Sequence, residues 1–299
     1  MFNRNFADAV RRLRWQLSQW HHGSPPGHFY SPVPDLAEVK RRESTIFTVP
    51  SALPGVALNE AAQLRLLASL AQHYSKQPFT PQKQPGLRYF FDNPNFTYGE
   101  AVVLYCLMCL VQPKRIIEIG SGYSSCVFLD TNELVFDHQI DCTFIEPYPE
   151  LLLSLLKPGE AERVRILPSP VQDVELGRFA ELQSGDILFV DSSHVSKVGS
   201  DVNWIVFEIL PRLADGVYVH FHDVEYPFEY PKKWIYQGRV WNEAYLLRAF
   251  LQYNDTFVVE LYNSFLGQLH SEEFGRALPL GLKNPGTSLW LRRISSAAS

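Results

Sequence analysis

The chain has 299 residues, 46% of them hydrophobic and 20% charged, enough apolar content for a large buried core in one main domain with an elaborated N-terminal part. A formal net charge of -5 gives no overall attraction to polyanions and argues against nucleic acid as the primary partner. No charge-free apolar stretch reaches the roughly 18 residues of a membrane span, and Met1-Phe2-Asn3-Arg4 opens no signal-type apolar run, so there is no transmembrane segment and the cytoplasm is the expected location.

Phe6, Val10, Leu13, Leu17 and Trp20 recur at alternating four and three spacing, and Arg4, Arg11, Arg12 and Arg14 lie beside this seam. The pattern predicts an amphipathic helix over residues 1–22. Such a helix packs on its own domain or on a second copy of the chain as a homo-oligomer, or else lies on a membrane surface. Prolines and glycines in 21–27 and 31–34 then break regular structure, because proline removes a donor and restricts its predecessor. Asn59 offers an N-cap to a helix carrying Leu64, Leu67 and Leu70, and a second break covers 78–86. Residues 1–95 thus read as an N-terminal helical extension or cap.

From about residue 96 the pattern becomes alternating helix and strand, with short apolar runs at 115–119, 142–146, 163–167, 186–190 and 216–221. Repeated βα units predict a doubly wound, Rossmann-like, mostly parallel α/β sheet over 96–299. Thr256–Tyr262 and Ser288–Arg293 are two further strands, joined by a polar connection with no obvious long helix, and predict an antiparallel edge hairpin. The four cysteines read as reduced thiols. Cys106 and Cys109 form a C-x-x-C inside an apolar helical run with no second ligand pair nearby, and core packing is the expected role.

The chemistry-bearing residues fall at the ends of the predicted strands. Glu118-Ile119-Gly120-Ser121-Gly122 runs a buried strand into a glycine turn that a ligand can approach closely. Position 125 is Ser rather than the third glycine of the dinucleotide fingerprint, so a ligand without a pyrophosphate fits better. Glu118 suits a ligand bearing an ammonium group. Glu146, at the end of the second strand, can accept from both ribose hydroxyls of an adenosine, and Gln172-Asp173 is placed to meet the adenine edge. Asp191-Ser192-Ser193-His194 closes the fourth strand and His220-Phe221-His222-Asp223 the fifth, which brings acids and histidines to one crevice. Such a cluster can hold a divalent cation or deprotonate a hydroxyl. His220, on the same strand face as His222, reads as a core histidine. Lys197 and Asp201 read as solvated charges at a helix start, Tyr226–Pro231 as an apolar wall or lid, Tyr98 and Glu100 as secondary pocket residues, and Asn242 and Glu243 as helix-start caps.

This order of residues resembles the class I S-adenosylmethionine-dependent methyltransferases over about residues 96–299. The resemblance implies S-adenosyl-L-methionine as cofactor, bound by Glu118, Gly120, Ser121, Gly122, Glu146, Gln172, Asp173 and Asp191, with Tyr98 closing the pocket. It also implies a seven-stranded sheet of order 3-2-1-4-5-7-6 with strand 7 antiparallel. Within the class the chain is similar to the metal-dependent O-methyltransferases of the catechol and macrolide-sugar types. That likeness implies Asp191, Asp223 and His222 as ligands of Mg or Mn, and His194, in Asp-x-x-His, as general base. The departure is at strand five, where relatives carry two acids or Asp-Asn and this chain carries His222-Asp223; imidazole is a poorer magnesium ligand than carboxylate. The function implied is O-methylation of a hydroxyl on a small polar acceptor, such as a sugar or a glycosylated natural product. Three other readings stay open: a cation-independent methyltransferase in which His194 and Asp223 act alone, a nicotinamide-dependent oxidoreductase, and a non-catalytic cofactor-binding interaction protein.

Overall fold

A computed structural model describes residues 24–295, and seven short apolar segments in it pair into one sheet. They are β1 (Arg115–Ile119), β2 (Asp141–Ile145), β3 (Arg165–Leu167), β4 (Ile187–Val190), β5 (Tyr218–Phe221), β6 (Phe257–Tyr262) and β7 (Leu289–Arg293). Their order is β3-β2-β1-β4-β5-β7-β6. The first five strands are parallel; β7 enters antiparallel between β5 and β6. The register sets Ile117 opposite Thr143 on one side and Leu188 on the other. All four residues of β4 are buried, the mark of a strand covered on both faces, which is why these strands read as continuous apolar runs rather than alternations.

The helices of the described residues are α1 (Leu36–Arg41), α2 (Glu43–Ile46), α3 (Glu60–Tyr74), α4 (Tyr98–Val111), α5 (Tyr123–Phe136), α6 (Glu150–Leu155), α7 (Leu176–Ala180), α8 (Asp201–Trp204), α9 (Lys232–Tyr236), α10 (Glu243–Leu251), α11 (Asn263–Leu269) and α12 (Ser271–Ala277). Helix α4 is apolar apart from Glu100 and buried from Gly99 to Cys109, packed by α3, α5 and the turn Pro279–Lys283. Val102, Val103, Leu104 and Cys106 are each fully buried, and burying a side chain such as Val or Leu contributes about 1.5–3 kcal/mol. Cys106 and Cys109 are unpaired core residues of this helix, and burial pushes both thiols up. No helix among the described residues is long and apolar enough to cross a membrane.

The described chain divides into two compact units. One consists of 24–49 with Pro231–Val240, the other of Pro50–Tyr230 with 241–295. In the first, Asp35 caps α1 by accepting from the amides of Ala37 and Glu38, and the Glu43 carboxylate accepts from Lys232 Nζ and Tyr236 Oη. The expected helix at 1–22 lies outside the described residues.

Residues 50–95, expected to belong to the extension, fall in the sheet unit. Gln63 on α3 is one of the ties: its Nε2 donates to the Leu58 carbonyl at 2.6 Å and its Oε1 accepts from the Tyr262 amide at 2.8 Å. Asn59 does not cap α3 with its side chain. Its backbone is left-handed, φ +50, a conformation asparagine tolerates, and its carbonyl accepts the first helical amides instead. The β6–β7 pair is antiparallel and its connection holds no long helix, as expected; it does hold α11 and α12, each of seven residues and too short to leave a clear period in the sequence. Tyr226, Phe228 and Tyr230 form no lid. All three are nearly fully buried, with Tyr226 and Phe228 against Tyr262 and the Tyr230 hydroxyl accepting the Ala244 amide at the start of α10.

Candidate active site

The parallel strands open a crevice of about 460 Å³ at the C-terminal ends of β1, β2 and β4, bordered by Gly120, Glu146, Tyr148, Gln172, Asp191 and Lys197. Gly120 permits it. Its φ is +83, and an added Cβ would lie 2.0 Å from the Asp191 carbonyl oxygen, so both the turn and the approach of β4 exclude a side chain. Gly122 has an extended φ of 174, which any residue adopts. The Glu146 carboxylate stands across the mouth, accepting from the Ser121 amide at 3.1 Å and the Tyr148 amide at 2.8 Å. Ser121 Oγ is buried with no hydrogen-bond partner, an orphan acceptor-donor beside the turn. Gln172 donates to the Gly199 carbonyl at 2.8 Å.

Three residues expected at the cofactor sit elsewhere. Glu118 is fully buried and turns toward α5, where the hydroxyls of Ser124 and Ser125 each donate to it at 2.5 Å. Burial raises its carboxyl to about 8, against the lowering effect of those two donors. The serine at the third-glycine position is thus the partner of Glu118. Asp173 is exposed, in a separate surface hollow with Trp204. Tyr98 stacks on Phe91 and donates to Asp92 Oδ1 at 2.6 Å, off the crevice. A larger hollow of about 800 Å³ lies over Arg88, Glu133 and Glu160, but their charges already pair with one another.

Behind the crevice Asp191, His194, His222 and Asp223 converge. Asp191 Oδ1 is 3.4 Å from both His194 Nε2 and His222 Nδ1, while Asp223 stands 3.8 Å from each of these nitrogens. Each imidazole has a carboxylate on its far side: Glu243 Oε2 is 2.8 Å from His194 Nδ1, and Glu100 Oε1 is 3.1 Å from His222 Nε2. Glu243, 1% exposed, also accepts from Ser192 Oγ at 2.9 Å. Its expected capping role is absent, and Asn242 instead holds the Ser196 backbone through both amide atoms. Asp201, expected to be solvated, accepts from the amide and hydroxyl of Ser193. His194 and Asp223 have left-handed backbones, φ +60 and +56, a strain of about 1–2 kcal/mol each. The Asn242 and Glu243 amides, both donating to the His194 carbonyl, help hold one of these.

The cluster sets four carboxylates around two buried imidazoles. Burial alone would lower His194, but Asp191 and Glu243 push it up to about 10. Burial likewise opposes a proton on His222, yet Asp191, Glu100 and Asp223 raise it well above the ordinary value. Burial would raise the Asp191 carboxyl, and the two histidines hold it well below the usual range. His220 is separate. It is fully buried, stacks on Phe189 at 3.7 Å and bonds Ser288 Oγ, and burial together with His222 keeps it neutral.

The donor set fits a divalent ion. Two atoms each about 2.1 Å from one ion stand roughly 3.0–3.4 Å apart. The 3.4 Å separations from Asp191 Oδ1 to His194 Nε2 and to His222 Nδ1 have that spacing, and Asp191, His194 and His222 are the residues whose ligand atoms all lie within 4.8 Å of one another, with Asp223 beside them.

A family model described as a methyltransferase domain matches residues 117–224, from β1 to just past β5. An uncharacterised protein of Archaeoglobus fulgidus is 36% identical over 169 residues, covering 54% of this chain and 75% of its own length. Among solved structures, the apo form of CmcI is similar over 75% of this chain and 84% of its own, with 16% identity and a TM-score of 0.43. The Podospora anserina methyltransferase PaMTH1, solved with SAH, is 16% identical over 89% of this chain and 99% of its own, with a TM-score of 0.44. The O-methyltransferase TomG of Streptomyces achromogenes, solved with SAM, is 15% identical over 87% and 97%, also with a TM-score of 0.44. The chain belongs to one family with the Archaeoglobus protein, and the 3-2-1-4-5-7-6 sheet with antiparallel β7, together with the matched domain, places it among the class I S-adenosylmethionine-dependent methyltransferases.

Proposed function

We propose that the protein methylates a hydroxyl oxygen of a small polar acceptor, such as a sugar or a glycosylated natural product, in the cytoplasm. The observation that carries this reading is the buried Glu243–His194 pair, whose 2.8 Å bond at Nδ1 leaves Nε2 facing Asp191 and Asp223 at the end of the crevice. A base held in one orientation by a buried carboxylate is what proton removal from a hydroxyl requires. S-adenosylmethionine, when bound, supplies the electrophilic methyl group.

The chain's own residues do the rest. Glu146 offers the remaining lone pairs of its carboxylate to the ribose hydroxyls, and Gly120 lets the backbone meet the cofactor closely. Asp191, 37% exposed at its side chain, borders both crevice and cluster and so joins the methyl donor to the acceptor site. His194 Nε2 takes the hydroxyl proton as the oxygen attacks the methyl carbon in line and the carbon–sulfur bond breaks. Asp191, Asp223 and His222 would hold a dication, which would supply positive charge beside the acids that face His194. Trp241, with its ring 4.4 Å from that of His194, sets an apolar surface beside the imidazole. The four unpaired cysteines accord with a reducing compartment.

Calorimetric titration of chelator-treated protein with S-adenosylmethionine tests the cofactor step. Glu146→Ala should weaken binding about 10–100-fold, the worth of one or two charge-assisted hydrogen bonds. A folded wild-type sample that fails to bind it, and binds NADH instead, would overturn the reading. The acceptor step is tested by release of S-adenosylhomocysteine across a panel of hydroxylated small molecules. For any compound turned over, His194→Ala should lower kcat about 10²–10⁴-fold while leaving the cofactor titration intact. Unchanged turnover in that variant would remove His194 from the mechanism.

A further inference from the structure

We infer that the cation site is built for a first-row transition dication, of the Fe, Co or Zn kind, in preference to magnesium, with His222 Nδ1 as a nitrogen ligand beside Asp191. The inference rests on the methyl-transfer site proposed above and concerns which ion that site selects.

The His222 side chain is 8% exposed, and neither of its ring nitrogens makes a hydrogen bond of good geometry. A buried ring nitrogen left without a partner is costly, because an unsatisfied buried polar group costs about 1–3 kcal/mol. The surroundings show which nitrogen is free to ligate. Nε2 faces Glu100 Oε1 at 3.1 Å, so the proton is favoured on that side, and the lone pair is left at Nδ1. Nδ1 in turn faces Asp191 Oδ1 at 3.4 Å and Asp223 Oδ1 at 3.8 Å. An imidazole with a carboxylate behind it and its lone pair toward other donors is the arrangement that orients and strengthens a histidine ligand.

Glu100 is held for this task. It is 4% exposed, its Oε1 accepts from the Thr287 amide at 3.1 Å, and a Cβ on Gly286 would lie 2.0 Å from its Cγ. Thr287 Oγ1 also donates to Asp223 Oδ1 at 3.2 Å, so one loop residue steadies both the carboxylate behind His222 and an acid in front of it. Ligand chemistry then decides the ion. Magnesium prefers all-oxygen octahedra and gives up water reluctantly, whereas imidazole nitrogen beside a carboxylate suits ions such as Zn and Fe.

Titration of the chelator-treated full chain with Co2+, followed by visible absorption and by metal content after dialysis, reads this directly. One Co2+ per chain is expected, with ligand-field bands of a mixed nitrogen–oxygen site, and about a hundredfold excess of Mg2+ should displace little of it. His222→Asp, which makes the donor set all oxygen, should weaken Co2+ at least about tenfold and let Mg2+ compete. Glu100→Gln should keep the fold and weaken Co2+ about 10–100-fold through the orientation of His222 alone. Displacement of Co2+ from the wild type by comparable Mg2+, or Co2+ binding unaltered in both variants, would overturn the inference. Selective Co2+ binding by a protein that binds no S-adenosylmethionine would instead overturn the methyltransferase reading and leave the ion assignment standing.

Discussion

Gly120→Ala is expected to destabilise the protein by at least about 3 kcal/mol and to abolish saturable binding of S-adenosylmethionine. Two costs add at this position. A φ of +83 strains any residue with a Cβ, by about 1–2 kcal/mol, and the new carbon would lie 2.0 Å from the backbone oxygen of Asp191, which cannot rotate away as a side chain can. The strand itself must shift. The Gly120 amide bonds the Ile145 carbonyl and the Asp191 amide bonds that of Ile119, so the displacement passes to β2 and β4 and closes the crevice between them. Gly122→Ala is the control, since its φ is extended and its nearest obstacle is the mobile Cδ2 of Leu151 at 3.2 Å; a loss under about 1 kcal/mol is expected there. Equal losses of urea midpoint in the two variants would refute the argument.

Arg88→Met is expected to cost about 3–5 kcal/mol, the usual result of stranding buried charge by removing its partner. Arg88 is 2% exposed and binds Asp130, Glu133 and Glu160 at once, while Asp130 also accepts from the amides of Arg88 and Tyr89. The same network sets an acid limb of stability. Burial would raise Glu133 and Glu160, but Lys157 and Arg88 hold the first, and Arg88 with the Lys157 amide the second, below the unfolded value of 4.5. A lowered folded pKa contributes stability that is fully present above 4.5 and is lost as the pH falls through the folded value. Asp130 runs the other way, because its burial outweighs its donors, so the two glutamates carry the limb. Urea unfolding between neutral pH and about pH 3 should show the wild type losing stability steadily and Arg88→Met losing much less. Parallel curves would show that the network is not what titrates.

The sheet was legible for a simple reason. Strands buried on both faces leave unbroken runs such as Ile187–Val190, and the glycine turn after β1 has no other economical sequence. The strand-end acids and histidines were legible because a parallel sheet delivers such positions to one edge. What sequence could not supply was pairing across long separations. Glu243 begins a helix and looks like a cap there; only the fold sets it 2.8 Å from His194. Glu100 likewise reads as a pocket residue and proves to stand behind His222. Glu118 shows the converse error. An acid before a glycine turn suggests an ammonium ligand, but two serines a turn later in the helix satisfy it within the chain. The aromatic run at 226–230 looked like a lid because exposure cannot be read from residue type alone, and its alternate side chains are turned inward.

Strand β7 also governs the order in which this sheet can be completed. Among the described residues strand β6 pairs with β7 alone, and β5 has β7 along its far edge, yet β7 is the last of these seven strands to be synthesised. Until residues 289–293 arrive, the nascent chain carries an open parallel edge at β5 and an unpaired apolar segment at 257–262, two sticky surfaces of the kind that invite association with other chains. The insertion that closes the fold is therefore also the step on which its escape from aggregation depends.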